Sequence, residues 1–199
     1  YAEGTDARDI TTSGMNIYNF ERRVHHMLLD RFGFAWALGS TTSESGTRKI
    51  DVTQGTWYIG NTEITTAAHN SNTGGYSFDL YYYNPTSGLW VVAAATQLGN
   101  SQYNNTATGT GLANMTGTKW MNYWVYICPA GDIYIMYGQA VYNSLAEAQV
   151  TQSPALVPNY LAQQGRLIAR ITQKDGDTNF ASVSNALATP ISATATTIH

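Results

Sequence analysis

From about Arg48 onward, apolar and polar positions alternate with a period of two in short runs bounded by turn residues, the pattern of half-buried β-strands. Strands are predicted at 48–52 and 56–59, joined at Thr53-Gln54-Gly55, and Gly60-Asn61 reads as a two-residue hairpin leading to 62–66. The run 76–83 (YSFDLYYY) pairs with 89–96 (LWVVAAAT) across a loop punctuated by Pro85 and Gly88. The strongest hairpin joins 119–128 (KWMNYWVYIC) to 132–138 (DIYIMYG), with Pro129 and Gly131 at the second and fourth positions of a type I turn. A further strand is expected at 166–173, before the turn Lys174-Asp175-Gly176-Asp177.

The strand 119–128 is apolar on both faces. Met121, Tyr123, Val125 and Ile127 lie on one, and Trp120, Trp124 and Tyr126 on the other. Such a strand must be covered twice. A second sheet covers one face, and a loop, a helix or a neighbouring subunit must cover the other. Trp120, Trp124 and Tyr126 are therefore candidate oligomer-interface residues.

Two segments break the β pattern. Residues 19–32 (NFERRVHHMLLDRF) set Phe20, Val24, Met27 and Leu28 on one helical face, with Asn19 as N-cap and Gly33 as stop, which predicts an N-terminal amphipathic helix. Ser144 followed by Glu147 is a capping box opening a short helix through about Gln149. Pro154 and Pro158 then predict an extended crossing, and the stretch from Ala186 has no periodicity and reads as an extended tail.

The expected fold is mainly β: an antiparallel, jelly-roll-like β-sandwich with an N-terminal helix and one short internal helix. Residues 1–40 are assigned to a helical connector or attachment segment, 41–185 to the sandwich and 186–199 to the tail.

Composition narrows the chemistry. Of 199 residues, 43% are hydrophobic, enough to bury a core, while only 12% are charged. Ten basic residues against thirteen acidic ones leave no cationic stripe for a phosphate backbone, so no nucleic-acid partner is expected. No apolar run approaches the length of a membrane span and no signal peptide is recognised, so membrane insertion is not expected either and the chain is read as soluble. Between Glu63 and Lys119 the only charged residue is Asp79.

Catalytic patterns are sparse. Glycoside hydrolysis needs two carboxylates held about 5 to 10 Å apart. Glu44, Asp51, Glu63, Asp79, Asp132 and Glu147 are the candidates, without any spacing that selects a pair. His25 and His26 point apart on a helix and cannot share one metal ion, and Cys128 reads as a buried small hydrophobe. No cofactor and no metal ion are expected, and the chain is read as a non-enzyme. The aromatics say more. Tyr and Trp rings stack on the apolar faces of sugars while neighbouring amides and hydroxyls pair with their hydroxyl groups. Trp57, Tyr81, Tyr83, Trp90 and Tyr103, with Asn104 and Asn105, are the candidate glycan- or receptor-binding residues.

The segments RKIDVTQGTWYI (48–59) and GYSFDLYYYNPTSGLW (75–90), and the run from Gly111 through Gly176, resemble terminal receptor-binding modules of tailed-bacteriophage tail fibres and appendages. The matching features are Gly55 to Tyr58, the Trp120 to Trp124 hairpin, the Tyr137 to Ala148 turn and helix, the Pro154 to Pro158 crossing and the Arg166 to Gly176 strand. The resemblance spans roughly residues 45–185. It implies a homotrimeric virion module that adheres to a bacterial surface glycan or protein without catalysis. A second reading is a purely structural connector, or a capsid or tail decoration, docking on another virion protein through Phe20, Val24, Met27 and Leu28. A third is a polysaccharide depolymerase using Glu63 and Asp79.

Overall fold

The computed structural model describes residues 34–60, 62–154 and 156–187. The helix expected over 19–32, with Phe20, Val24, Met27 and Leu28, and the tail from 188 onward lie outside the described residues.

In chain order the strands are β1 (Phe34–Gly39), β2 (Thr42–Glu44), β3 (Ile50–Val52), β4 (Gly55–Ile59), β5 (Thr62–Thr66) and β6 (His69–Asn70), then the long hairpin β7 (Phe78–Asn84) and β8 (Leu89–Ala95). A short ribbon follows, β9 (Gln102–Asn104) and β10 (Leu112–Asn114), then the hairpin β11 (Trp120–Ile127) and β12 (Ile133–Tyr137). Two one-and-a-half-turn helices, α1 (Leu145–Val150) and α2 (Asn159–Gln164), precede β13 (Arg166–Lys174) and β14 (Ser182–Asn185). The architecture is mainly β.

The large sheet runs β14-β13-β11-β12-β7-β8, and the smaller sheets are β1-β4-β5, β2-β3-β6 and the β9-β10 ribbon. Among the described residues all pairings are antiparallel except one: β12 lies parallel to β7, with Ile135 beside Leu80. The sheets are thus antiparallel as expected, with this one parallel pair as the departure. A parallel pair needs a long crossover, and the chain between β8 and β12 supplies it. Residues 34–39, grouped by sequence with the connector, are an edge strand hydrogen-bonded to β4.

Local chemistry explains the turns. Gly131 N–H donates to Cys128 O at 2.8 Å with Gly131 at φ +90°, a backbone conformation that L side chains rarely adopt, so the turn needs glycine there. At α1 the Ser144 hydroxyl accepts from Glu147 N–H (3.2 Å), and the Glu147 carboxylate accepts in return from Asn143 N–H (2.8 Å). α2 starts directly after Pro158 within the segment expected to be extended; it has no side-chain cap.

The inner face of the large sheet carries the main core. Met121, Tyr123, Val125 and Ile127 of β11, with Ile133 and Ile135 of β12 and Phe78 and Leu80 of β7, meet Ile50 and Val52 of β3 and Phe34 and Trp57 of the β1-β4-β5 sheet. Trp57 is fully buried, stacks on Phe34 with ring centroids 4.3 Å apart, and donates its indole N–H to Ser40 Oγ at 2.9 Å. Space for that bond exists because residue 55 is glycine: a Cβ there would sit 1.9 Å from Ser40 Oγ. Trp57 is thus a core residue, which corrects its assignment to a ligand-binding surface; a large apolar ring is worth most where it is fully desolvated.

Candidate functional site

The outer face of the large sheet is divided in two by its cover. Over β11 and β13, Trp124 and Tyr126 pack with Cys128, Met136 and Leu161, flanked by Val157 and Leu167. Leu161 comes from α2. Beside them α1 is fastened to the strand, because Asn122 donates its amide to Ala148 O at 2.8 Å and accepts from the Thr172 hydroxyl at 2.8 Å. Trp124 and Tyr126, assigned from sequence to a subunit interface, are therefore covered within one chain. The second cover is the 156–165 segment, whose short helix has no amphipathic signature to announce it. Trp120 is half-buried, with Lys174 Nζ 5.7 Å from its ring centroid.

Toward the other edge, among the described residues, no helix lies over β7 and β8, and aromatic side chains reach solvent. Tyr81 and Tyr83 alternate with Leu80 and Tyr82 along β7 and so occupy the outer face. Tyr83 stands directly opposite Trp90 of β8, and their rings meet edge-on at 5.6 Å. Tyr81 meets Tyr134 of β12 edge-on at 5.9 Å, and Tyr134 in turn meets Tyr160 of α2 at 5.6 Å. Tyr160 is exposed and the other four are half-buried. Five rings thus line one strip from α2 to the β7-β8 hairpin, each oriented by its neighbour. Edge-to-face contacts of this kind add about 0.5–1.5 kcal/mol per pair beyond area burial, so the strip is preorganised.

Hydrogen bonds order the α2 end of the strip. The Tyr160 hydroxyl lies within hydrogen-bonding reach of both the Tyr134 hydroxyl and the Cys128 thiol. Burial, first, and the bond to Tyr160, second, push the Tyr134 phenol well above its ordinary value. Tyr81 is raised by burial first and by the charge of Asp79 second, and burial likewise pushes the Cys128 thiol up. These groups stay uncharged across the physiological range.

The opposite end is a polar fringe. Asn84 Oδ1 accepts from the N–H groups of Thr86 (3.0 Å) and Ser87 (3.3 Å), and the Thr86 hydroxyl donates to Gly109 O at 2.6 Å. Asn105, half-buried rather than displayed, accepts from Ala107 N–H (3.0 Å) and Thr108 N–H (3.3 Å) and shapes the neighbouring loop. Asn104 is fully buried. Its amide accepts from Tyr83 N–H (2.9 Å) and donates to Tyr83 O (2.8 Å) and Gly111 O (2.9 Å), continuing the ladder on β7 beyond its last register pair with β12. Asn104 is corrected from a ligand contact to the clamp that holds Tyr83. Gly111 permits the approach: at φ +103°, a Cβ there would lie 2.2 Å from Tyr83 O. Tyr103 packs against the inner core cluster, so it too is separate from the strip.

Of the seven sequence candidates, the structure brings together Tyr81, Tyr83 and Trp90. Tyr134 and Tyr160 were missed. Tyr134 was legible as the outward residue between Ile133 and Ile135, whereas nothing in the sequence of α2 pointed Tyr160 at the sheet.

The carboxylates are mostly engaged in holding the fold. Glu44 accepts from Phe180 N–H (3.0 and 3.1 Å) and Arg48 N–H (3.0 Å), Asp51 from the Asn70 amide (3.2 Å), and Glu63 from the Tyr58 hydroxyl (2.9 Å). Glu63 and Asp79 sit on different sheets. Among the described residues, no group of three or more His, Cys, Asp or Glu side chains is placed to hold a metal ion, and no helix is long and apolar enough to cross a membrane. Comparison with protein-family models, with curated proteins and with solved structures finds no match.

Proposed function

We propose that the chain is a non-catalytic binding module that adheres to a neutral surface glycan through the strip Trp90, Tyr83, Tyr81, Tyr134 and Tyr160. The observation that carries this reading is the strip itself: solvent-reaching rings on a sheet, bordered by Asn, Thr and Ser, with Tyr81, Tyr83 and Trp90 in a stretch between Glu63 and Lys119 whose only charge is Asp79. Ring faces and edges suit the C–H faces of sugars, and the neutral fringe suits their hydroxyl groups. The resemblance to tail-fibre modules adds the setting: a jelly-roll-like virion module, attached to other virion proteins and presented as a homotrimer. Weak single sites gain avidity when several are presented together.

The test is binding of purified neutral bacterial surface polysaccharide, followed by calorimetry and by indole fluorescence. Trp90→Ala is expected to weaken binding about tenfold or more, the equivalent of about 1.4 kcal/mol. Trp36→Ala, which removes an exposed indole from β1 in a different sheet, is expected to leave it unchanged. Equal affinity in Trp90→Ala and the parent chain would overturn the reading.

The structural connector or decoration reading is favoured by a different observation. Trp36 and Leu38 of β1 are 40% and 60% exposed, just after the segment expected to dock on another virion protein. On that reading Trp36 and Leu38 extend the docking surface, and the polysaccharide produces no response in any variant.

A further inference from the structure

The two edges of the large sheet are treated differently by the chain. At one end β14 is closed by β2: Asn185 Oδ1 accepts from Thr42 N–H at 2.7 Å while its amide donates to Thr42 O at 3.1 Å, so a side chain takes the place of a paired backbone. At the other end, among the described residues, no strand pairs with the outer edge of β8. Among the described residues, none of the backbone hydrogen bonds outside the sheet ladders involves residues 89–95. Leu89 and Val92 are 65% and 45% exposed.

Exposed edges normally carry a lysine, a proline, a bulge or an inward charge that blocks further pairing. The edges of the β1-β4-β5 sheet follow this rule: the β1 register shifts between Trp36 and Leu38, and β5 carries Glu63. β8 has none of these devices. Its sequence is LWVVAAA, and it keeps an unbroken register with β7 over seven pairs, from Leu89 opposite Asn84 to Ala95 opposite Phe78. At about 3.3 Å per residue it offers a straight edge of about 23 Å.

We propose that β8 is a self-pairing edge: two copies of the chain join their β8 strands antiparallel about a two-fold axis through Val92. The sequence of the strand fits a second copy better than an unrelated segment, because its bulk is graded. Leu89, Trp90 and Val91 fill one half and Ala93, Ala94 and Ala95 the other. Antiparallel pairing about Val92 sets Leu89 against the copy's Ala95, Trp90 against Ala94 and Val91 against Ala93, so every large residue meets a small one on the same face. Electrostatics agree. From Leu80 to Thr118 the chain carries no charged residue, so two such edges meet without like-charge repulsion. Stable interfaces bury about 800 Å² per partner, more than a strand edge alone supplies, and the flanking Trp90 and Leu89 side chains add to the contact.

The pairing would place the aromatic strips of both copies on one continuous face, with the two Trp90 Cα atoms about 14 Å apart. It does not depend on glycan binding: a dimer that binds no polysaccharide leaves it standing. A two-fold contact counts two chains where the resemblance counts three, and solution mass separates them.

The experiment uses the full 199-residue chain in three forms: parent, Val92→Lys and Val92→Cys. Light scattering of the parent is expected to give about twice 21.7 kDa, and Val92→Lys, which sets two cations face to face at the axis, is expected to give a single chain with an unchanged far-ultraviolet spectrum. Val92→Cys is expected to cross-link to itself under mild oxidation, because residues opposite one another lie within disulfide reach. The native Cys128 is buried and stays silent. A parent mass of one chain, a trimer that persists in Val92→Lys, or loss of association on removing residues 188–199 with β8 intact would each overturn the pairing.

Discussion

A single buried amide sets the geometry of the strip. Asn104 serves two backbone groups of Tyr83 and the carbonyl of Gly111; Gly111 O also accepts from Asn105 N–H at 2.6 Å, so removing the Asn104 side chain leaves the N–H and C=O of Tyr83 without a partner in a closed environment. A lost buried bond of this kind costs about 1–3 kcal/mol per unsatisfied group, with partial relief where water enters. Asn104→Ala is therefore expected to lower unfolding free energy by about 2–4 kcal/mol in urea titration and to loosen Tyr83 against Trp90, read as a change in indole emission. A change below about 0.5 kcal/mol would mean that the amide is not a clamp. Sequence alone presented Asn104 as a loop amide free to meet a ligand. Its partner lies 21 residues away, and no local pattern reports a bond that the fold creates. Trp57 was misread for the same reason, since its alternation with Tyr58 says that the two face opposite ways but not which way is inward.

At the level of elements, the local grammar was legible where physics is local. The β7-β8 and β11-β12 hairpins, the Gly131 turn and the Ser144 cap all follow from nearest-neighbour rules, and both faces of β11 fall as the alternation requires. Pairing order was not legible: that β12 enters beside β7 in parallel depends on how residues 96–132 cross, which no window of the chain encodes. Nor was α2, six residues long, lacking a side-chain cap, and contributing one buried side chain, Leu161. That side chain nevertheless seals the outer core over Trp124 and Cys128. Leu161→Ala is expected to cost about 2–5 kcal/mol and to unseal the face. The readout is Cys128, fully buried with a thiol pushed up by desolvation. It should resist a thiol reagent in the parent chain until unfolding and react measurably faster in Leu161→Ala. Equal rates in both would place the seal elsewhere.

For the whole molecule, scarcity of charge moves pH sensitivity to the alkaline side. Burial raises the phenols of Tyr76, Tyr81, Tyr123, Tyr126 and Tyr137, Tyr123 well above its ordinary value and Tyr126 to about 12. A phenol whose folded-state value lies above the unfolded value of about 10 favours the folded chain while it stays protonated. That contribution is complete below pH 10 and is lost as pH rises from 10 through 12. For Tyr126, 6% exposed, the difference corresponds to about 3 kcal/mol. The melting temperature is thus expected to fall steeply between pH 10 and 12, with phenolate absorbance rising together with unfolding rather than ahead of it. Tyr126→Phe removes one titrating group, so its stability should decline less steeply with pH across that window than that of the parent. A parent chain whose melting temperature stays level from pH 10 to 12 would show that these phenols remain accessible to solvent, and the sealed two-faced sheet on which the aromatic strip depends would fall with it.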